Sequence, residues 1–533
     1  MLDKRTLKKI IYKARFYTSA FPVINFKHEV QVANKRAGIR NQRPYIIATS
    51  SGGLLPILSV DLLIGMSLLF KNKRVIFLLC DGALPACQIC EQASISENEL
   101  LTKGPQNWFC GDCFGKTNNL LNKLGFEIVT LNQLLRQTDE LKPSVRNTLN
   151  ARGGLLRYLG RGNTIPNNKT HQALGDLFKK AADISYSAAC KALELLDPEK
   201  VILHHGIYVP QGPIMQACQD KNIPTVCWGV GYRKGSILLS HAGSYHDTLP
   251  KETWSTVSKY KFGVKELEDI TSYLESREVG TNDWISFSKR DNKNKRINRV
   301  DLGINEEIPC FLLLTNVMWD AQVNFQNSIF ENMLEWVFLT LDFFIKNKDM
   351  HLIVRIHPAE HNGTVPANQR VLKSILERYN NIPNNVTLVS PDNQLLNTYD
   401  LIDISNCALI YGSKAAIEVT ARGKPTIITG DAWCKNKGFT FDPKTPSDYL
   451  ELLANQSVLR PLSPAKKKRA LQYAHYLFMR RMIPISSLTP LKRMSPFKIS
   501  ENLSSISDLK SDKNLNFITE QIIKNQPFEL MDL

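Results

Sequence analysis

Two short stretches of this 533-residue chain hold residues whose types and spacing could do chemistry. The first is Leu352-Ile353-Val354-Arg355-Ile356-His357-Pro358-Ala359-Glu360, an apolar run that stops abruptly at a proline. Arginine and histidine suit a phosphate or carboxylate. A glutamate in that place suits ribose hydroxyls or the capping of a helix. The second is Ala408-Leu409-Ile410-Tyr411-Gly412-Ser413-Lys414-Ala415-Ala416-Ile417-Glu418, which reads as a strand, a glycine turn and a helix start. Backbone N–H groups at that helix N-terminus, with the Ser413 hydroxyl and the Lys414 ammonium, make an anion site. Glu418 lies near enough to face the same place. Arg422-Gly423-Lys424-Pro425 then ends this helix, and Ile428-Thr429-Gly430-Asp431 ends the next strand. One strand-glycine-helix unit is common for structural reasons alone. Three consecutive strand ends bearing polar or glycine residues point to a nucleotide site.

A second kind of chemistry is written in the cysteines. Cys87-Gln88-Ile89-Cys90 and Cys110-Gly111-Asp112-Cys113 form two C-x2-C pairs with 19 residues between them. Each pair can place two thiolates on one side of a tight knuckle, and two knuckles complete a tetrahedral Zn2+ site. Four thiolates close the site, so the expected metal is structural, pinning an insertion at about 84–116. A redox pair is the weaker alternative, because two such units occur together. The remaining cysteines (Cys80, Cys190, Cys218, Cys227, Cys310, Cys407 and Cys434) mostly sit in apolar runs and read as small buried hydrophobes.

The elements that must position these residues alternate along the chain. From Pro44, strand signals fall at 45–48, 75–79, 126–131, 201–203 and 225–227, with helical signals at 54–70, 172–196 and 212–221. A second series has strands at 310–314, 352–356, 386–389, 408–410 and 426–428, and helices at 330–345 and 415–421. Short apolar runs separated by helices predict βαβ units and parallel sheets. In such sheets ligands bind beyond the carboxyl ends of the strands, where Arg355, His357 and Glu360 would stand. The expected division is a basic helical arm at 1–43, an α/β domain at 44–275, a linker at 276–304, a second α/β domain at 305–462, and a helical segment with a tail at 463–533. The run Lys289-Arg290-Asp291-Asn292-Lys293-Asn294-Lys295-Arg296 marks the linker.

Bulk composition narrows the class. Hydrophobic content of 43% and charged content of 22% are those of an ordinary folded chain. The formal charge of +17 suits an anionic partner. The apolar stretch 54–70 contains Asp61 and lies between two strand signals, so a buried helix is expected there rather than a membrane span. The first residues are basic but lack an apolar core and cleavage site, which leaves the cytoplasm as the expected compartment. The arm (Lys4, Arg5, Lys8, Lys9, Lys13, Arg15) and the segment 466–481 would suit docking at the anionic inner face of a membrane.

The spacing Arg355-x-His357-Pro358-x-Glu360, followed by Gly412-Ser413-x-x-x-x-Glu418 and Gly423-Lys424-Pro425, resembles bacterial capsule polysaccharide biosynthesis proteins. That grouping includes capsular Kdo transferases and lies near CDP-glycerol glycerophosphotransferases. Leu314-Thr315-Asn316-Val317-Met318-Trp319-Asp320 and Met479-Arg480-Arg481-Met482-Ile483-Pro484 also look like parts of the pattern. The resemblance implies a GT-B fold, two Rossmann-like domains facing a central cleft, with a nucleotide-sugar donor bound mainly by the second. Carried over, Arg355, His357, Ser413, Lys414 and Glu418 become donor-site candidates, joined by Glu360, Thr315 and Asn316. Many relatives have serine or threonine where this chain has Lys414. The first domain should then hold the glycan or lipid-linked acceptor and a general base whose pKa can be tuned. His205, in Leu203-His204-His205-Gly206, and Asp81, in Cys80-Asp81-Gly82, are the candidates. Gly52, Gly53 and His246 are expected on the acceptor side, the glycines because they let a ligand approach the backbone. No catalytic metal is expected, since Arg, Lys and helix N-termini can neutralise a leaving phosphate. Polyol-phosphate transfer from a CDP-linked donor fits the same residues. A zinc-ribbon nucleic-acid-binding protein is disfavoured, because the basic residues lack interleaved aromatics.

Overall fold

The computed structural model describes residues 22–38, 42–91, 95–105, 107–138, 140–287, 296–320, 327–363, 365–491 and 496–531. The chain divides into two compact units. One comprises Met1–Leu159, Asn163–Tyr245 and Met482–Glu529; the other comprises Gly160–Gly162, His246–Arg481 and Leu530–Leu533.

The first unit is built on β1 (Tyr45–Ala48), β2 (Val75–Leu79), β3 (Glu127–Thr130), β4 (Lys200–His204), β5 (Thr225–Val230) and β6 (Ser236–His241). With a late strand at Ile483–Pro484, they form a seven-stranded sheet. From the late strand inward the order is late strand, β6, β5, β4, β1, β2, β3. The strands β3, β2, β1, β4 and β5 run parallel, with Ile46 level with both Ile76 and Val201. Two antiparallel strands, β6 and the late one, complete the edge. Central strands such as β2 are buried along their whole length, which is why they read as continuous apolar runs.

The apolar stretch after β1 is the helix Leu55–Phe70, buried over 13 of its residues, Asp61 included. Asp61 accepts hydrogen bonds of 2.8 Å from Thr49 Oγ1 and from the Trp228 indole N–H. Burial pushes this carboxyl up to about 7. Among the described residues no helix is long and apolar enough to cross a membrane.

The tail differs from expectation. Residues 482–529 fold back into the first unit, where the helix Lys513–Lys524 packs on Leu55–Phe70 through a buried Thr519–Ser67 hydrogen bond of 2.8 Å. The described part of the basic arm, the helix Lys27–Gly38, also packs on this unit, with Val30 and Ala37 buried. The basic residues Lys4 to Arg15 lie outside the described residues.

The second unit carries an all-parallel sheet of β7 (Cys310–Leu314), β8 (His351–Arg355), β9 (Val386–Val389), β10 (Cys407–Ile410) and β11 (Thr426–Ile428), in the order β11-β10-β7-β8-β9. Leu314 is level with Arg355 and with Ile410, and Arg355 with Val389. Four carboxyl ends therefore open on one edge. Behind them the helix Met333–Lys346 buries Trp336, Val337, Leu341 and Phe344.

The boundary between units falls at Tyr245 rather than 275. The helix Val264–Val279 packs on the helix Pro464–His475 and so belongs to the second unit, as does only the first part of the segment expected to be a tail, 463–481. The expected linker is likewise corrected at its start, because Arg277 and Asp283 are only 4% and 6% exposed. Most of the charged run 289–296 lies outside the described residues.

The docking role expected of 466–481 is cut back to its start, where Lys466, Lys467, Lys468 and Arg469 are exposed, because the end of the segment turns inward. Tyr476–Arg481 is a π turn with all six residues buried. Arg481 pairs with Glu252 and donates to Tyr476 Oη at 3.0 Å, while Arg480 lies 4.3 Å from the Tyr260 ring centre and donates to the Met531 carbonyl.

Candidate functional site

The strand ends of the second unit enclose an open cavity of about 740 Å3, counted to its solvent-filled mouth. Its walls bring together Thr315, Arg355, His357, Ser413, Lys414 and Glu418, six of the eight residues expected to bind a donor. They come from the ends of β7, β8 and β10, as the parallel-sheet rule requires.

Arg355 is the last residue of β8 and only 3% exposed. Its guanidinium is held by two carbonyls, Ser390 at 2.5 Å and Asn393 at 3.2 Å. Burial pulls it down to about 10; it keeps its charge at neutral pH. Its Nε has no hydrogen-bond partner among the described residues. His357 follows the strand. Its backbone N–H donates to Thr315 Oγ1 at 2.8 Å, and its Nδ1 accepts from the Ala359 N–H at 3.0 Å. Burial, then the neighbouring Lys414 and Arg355 cations, hold this imidazole down to about 4. It is therefore neutral near pH 7, and with Nδ1 accepting it carries its proton on Nε2.

The turn after β10 holds Ser413 and Lys414. Ser413 Oγ accepts from the Ala415 N–H at 3.2 Å, just before the helix Ala415–Ala421. Lys414 keeps 23% of its side chain exposed, with its ammonium 4.0 Å from Asp283. Burial, reinforced by the Arg277 cation, lowers it to about 7.

Beneath Lys414 lies a buried ionic cluster. Arg277 bonds both Asp283 and Glu418, the latter at 2.9 Å. Glu418 also accepts from Tyr399 Oη at 2.8 Å, and Asp283 from Tyr273 Oη at 2.5 Å. Burial pushes the Glu418 carboxyl up, but Arg277 and the hydrogen bonds outweigh it and leave it below its usual range. Two carboxylates and two cations make this group neutral overall. Arg355 is then the surplus positive charge in the wall. Glu418 acts here as the clamp of a guanidinium.

Two donor candidates take other positions. Glu360 is 4% exposed, and both its oxygens accept the Val371 N–H at 3.3 Å. It caps the helix Val371–Arg378 and is not in the cavity wall. Asn316 is spent on the backbone, donating to the Gly412 carbonyl at 3.2 Å and accepting the Val317 N–H at 2.9 Å.

The residues expected on the acceptor side are not gathered in one place. His205 stands at the end of β4 in the left-handed region (φ 64°), followed by Gly206 (φ 67°) and Tyr208 (φ 62°). Its Nδ1 is 3.3 Å from Tyr245 Oη. Two non-glycine residues so close together in this region mark stored backbone strain, which concentrates at functional sites. Asp81 instead accepts the Asn132 N–H at 3.1 Å at the start of the helix Leu131–Leu135, a structural use. The glycine turn is closed: Gly52 O accepts from Thr117 Oγ1 at 3.0 Å, and a Cβ on Gly52 would meet that oxygen at 2.6 Å. The missing side chain admits the helix Asn107–Leu124 and leaves no room for a ligand. His246 falls in the second unit, with its ring centre 6.3 Å from that of Trp433, and burial lowers it to about 4.

The four paired cysteines lie between β2 and β3. Cys87 Sγ and Cys90 Sγ are 3.8 Å apart, but Cys110 and Cys113 lie one turn apart on the helix Asn107–Leu124 rather than in a second knuckle. Among the described residues, no group of three or more His, Cys, Asp or Glu is already arranged to hold a metal. A fifth thiol, Cys80, joins the group: burial and then Cys87 push it up to about 12.

Residues 256–472 match the family described as capsule polysaccharide biosynthesis protein. The chain thus carries a capsule polysaccharide biosynthesis segment. That segment contains every residue of the cavity and also Arg277 and Asp283, which no motif had singled out. Among solved structures, the chain is similar to a β-Kdo 2,4-transferase, KpsC, of Thermosulfurimonas dismutans at 15% identity, covering 54% of this chain and 82% of that one, with a TM-score of 0.35. The β-Kdo 2,7-transferase of the same organism aligns at 15% identity over 58% and 85%, with a TM-score of 0.31. A UDP-forming α,α-trehalose-phosphate synthase of Burkholderia vietnamiensis aligns at 11% identity over 82% and 95%, also at 0.31. No curated protein matches the chain.

Proposed function

We propose that the chain is a glycosyltransferase of GT-B type. It would move a sugar from a nucleotide-sugar donor to a capsule-like polysaccharide or a lipid-linked glycan. One observation carries this reading: the surplus cation Arg355, with neutral His357, Thr315 and Ser413 beside it, stands at the carboxyl ends of parallel strands inside the capsule-family segment. A donor diphosphate would take Arg355 and Lys414 as its counter-charges, so that negative charge developing on the leaving group is met by fixed groups. The His357 Nε2–H and the hydroxyls of Thr315 and Ser413 supply directional donors. On this reading the chemistry runs without a catalytic metal. We assign the role of base toward the acceptor hydroxyl to His205 of the first unit, where the strained turn fixes the ring and Tyr245 orients it.

Thermal-shift screening against UDP-, GDP- and CMP-sugars and CDP-polyols tests the donor half. One nucleotide class should stabilise the chain by mass action, about 2.7 kcal/mol at a hundredfold excess over Kd, and Arg355→Ala should abolish the shift. If no nucleotide stabilises the chain, or the variant keeps the whole shift, the donor site is misassigned.

A structural zinc is the second part of the reading. A tetrahedral tetrathiolate with Zn–S near 2.3 Å has S–S edges of about 3.8 Å, the spacing of Cys87 and Cys90. Cys110 and Cys113 bring two more thiols to the same cluster. Burial drives both up, and so do the charges of neighbouring thiols, Cys80 and Cys87 among them. A thiophilic dication would offset that crowding. Zinc would then tie the helix Asn107–Leu124 to the segment after β2.

A further inference from the structure

Away from the cavity, one stretch of surface sets apolar side chains in solvent among cations. Between Leu141 and Ile165 the sequence has no aspartate or glutamate and carries Lys142, Arg146, Arg152, Arg157 and Arg161. The helix Val145–Leu159 buries Ala151, Leu155, Leu156 and Leu159. Its first two turns present the opposite pattern: Val145 is 90% exposed, Leu149 48%, and Leu141 just before the helix 44%. Val145 and Leu149 are one turn apart and share a face, which exposed Arg152 continues. Arg136 and Lys142 are exposed on the approach. Arg146 stands on the flank, steadied by Gln216 at 3.4 Å and Gln219 at 3.1 Å. Arg157 turns inward to Glu91. Among the described residues the acids at the rim are Glu140 and Asp220, the latter already holding Tyr186 Oη at 2.7 Å; Asp139, next to Glu140 in the sequence, lies outside them.

A single exposed apolar side chain needs no explanation, but aligned ones do. A merely solvated helix face would not align exposed apolar side chains, and an ion-paired face would contain acids. Apolar side chains ringed by cations match an anionic bilayer interface, where the apolar groups enter below the headgroups and the cations meet phosphates. We infer that this face, Leu141 to Arg152 of the first unit, docks the chain on an anionic lipid surface. Nucleic acid offers nothing to Val145 or Leu141. A second copy across a two-fold axis would bring Lys142, Arg146 and Arg152 against their own kind. The inference stands apart from the transferase reading and is read out without activity.

The test is flotation of the full chain with vesicles of phosphatidylcholine alone or with one-third phosphatidylglycerol. The anionic vesicles should carry about tenfold more protein, an advantage that salt weakens. The double variant Val145→Asp/Leu149→Asp should lose at least about fivefold of that binding with its melting temperature little changed, since Val145 stands in water and Leu149 is half exposed. Lys142→Glu/Arg152→Glu should do the same. Equal flotation with both vesicle types, or a Val145→Asp/Leu149→Asp variant that floats like the parent, overturns the inference. So does sedimentation showing a dimer that this variant breaks without any vesicle binding, which would make the face a self-association surface.

Discussion

Replacing Arg277 by methionine tests whether the cavity wall is built on a buried guanidinium. The change keeps much of the side-chain volume but strands two carboxylates, Asp283 with 4% and Glu418 with 8% of their side chains exposed. Each retains one tyrosine hydroxyl, from Tyr273 and Tyr399. Removing one partner of a buried ion pair costs about 3–5 kcal/mol, and that range is expected at pH 8. The pH dependence is the sharper signature. In the parent, Glu418 lies below its usual range, so the stability it contributes is present above its unfolded pKa and is lost as pH falls. Without Arg277, burial dominates and the sign reverses: the carboxyl rises, and stability is lost as pH climbs through the raised value. The penalty at pH 5 should therefore be smaller than at pH 8. Calorimetry at the two pH values measures this. A penalty under about 1 kcal/mol, or one equal at both pH values, would refute the cluster. Arg277→Lys should recover only part of the loss, because an ammonium cannot bridge both carboxylates in the same fork.

Other outcomes are expected from the same geometry. Burial lowers Lys414 to about 7, and an anion binds its protonated form, so nucleotide diphosphate affinity should fall about tenfold from pH 6 to pH 8. Lys414→Ser should flatten that dependence in a titration by calorimetry. His205→Gly should leave stability within about 1 kcal/mol of the parent or raise it, because glycine relieves the left-handed backbone, while transfer is lost and nucleotide protection persists. Metal analysis of freshly reduced protein should find one zinc per chain, and Cys110→Ser/Cys113→Ser should lose it together with several degrees of melting temperature; under half a zinc in the parent counts against the site. Glu360→Gln should keep nucleotide binding, because that carboxylate caps a helix outside the cavity.

How much of this could be read from residues alone depends on whether a role leaves a local trace. The parallel strands did, because a strand buried on both faces must be apolar throughout: Cys310–Leu314, Val386–Val389 and Thr426–Ile428 stand where the apolar runs predict them. Antiparallel β6 escaped, with only three apolar residues between Ser236 and Ser240. The helix Val145–Leu159 escaped as well, since Gly153-Gly154 and a polar first half blur its period. Arg355, His357 and Lys414 were legible because a cation directly after a strand has few structural excuses. Arg277 and Asp283 were not: one is a charged residue in an amphipathic helix, the other borders a stretch with the composition of a linker. Their partnership spans 141 residues from Arg277 to Glu418, and nothing in sequence spacing encodes a contact of that reach.

The residues that changed meaning did so for one physical reason. Glu360, Gly52, Asp81 and Asn316 all lie at strand ends, where the chain must satisfy backbone donors and acceptors as well as any ligand. A carboxylate that caps a helix and one that binds a ribose have the same letter and the same place in a pattern, and only the partner separates them. Glu360 meets the Val371 amide and Asp81 the Asn132 amide, so each has a structural partner at the start of a helix. Arg355 differs in kind. Its two carbonyl partners carry no charge and the counter-charge acting on it is the exposed Asp392, so its positive charge is only partly compensated in a nearly buried wall, a state that an arriving anion would ease. Lys414 is offset by Asp283 and Glu418 and can be gained or lost with little damage to the fold. The fixed requirement for an anion therefore rests with Arg355, and Lys414 is the adjustable element that tunes which anion is held and at what pH.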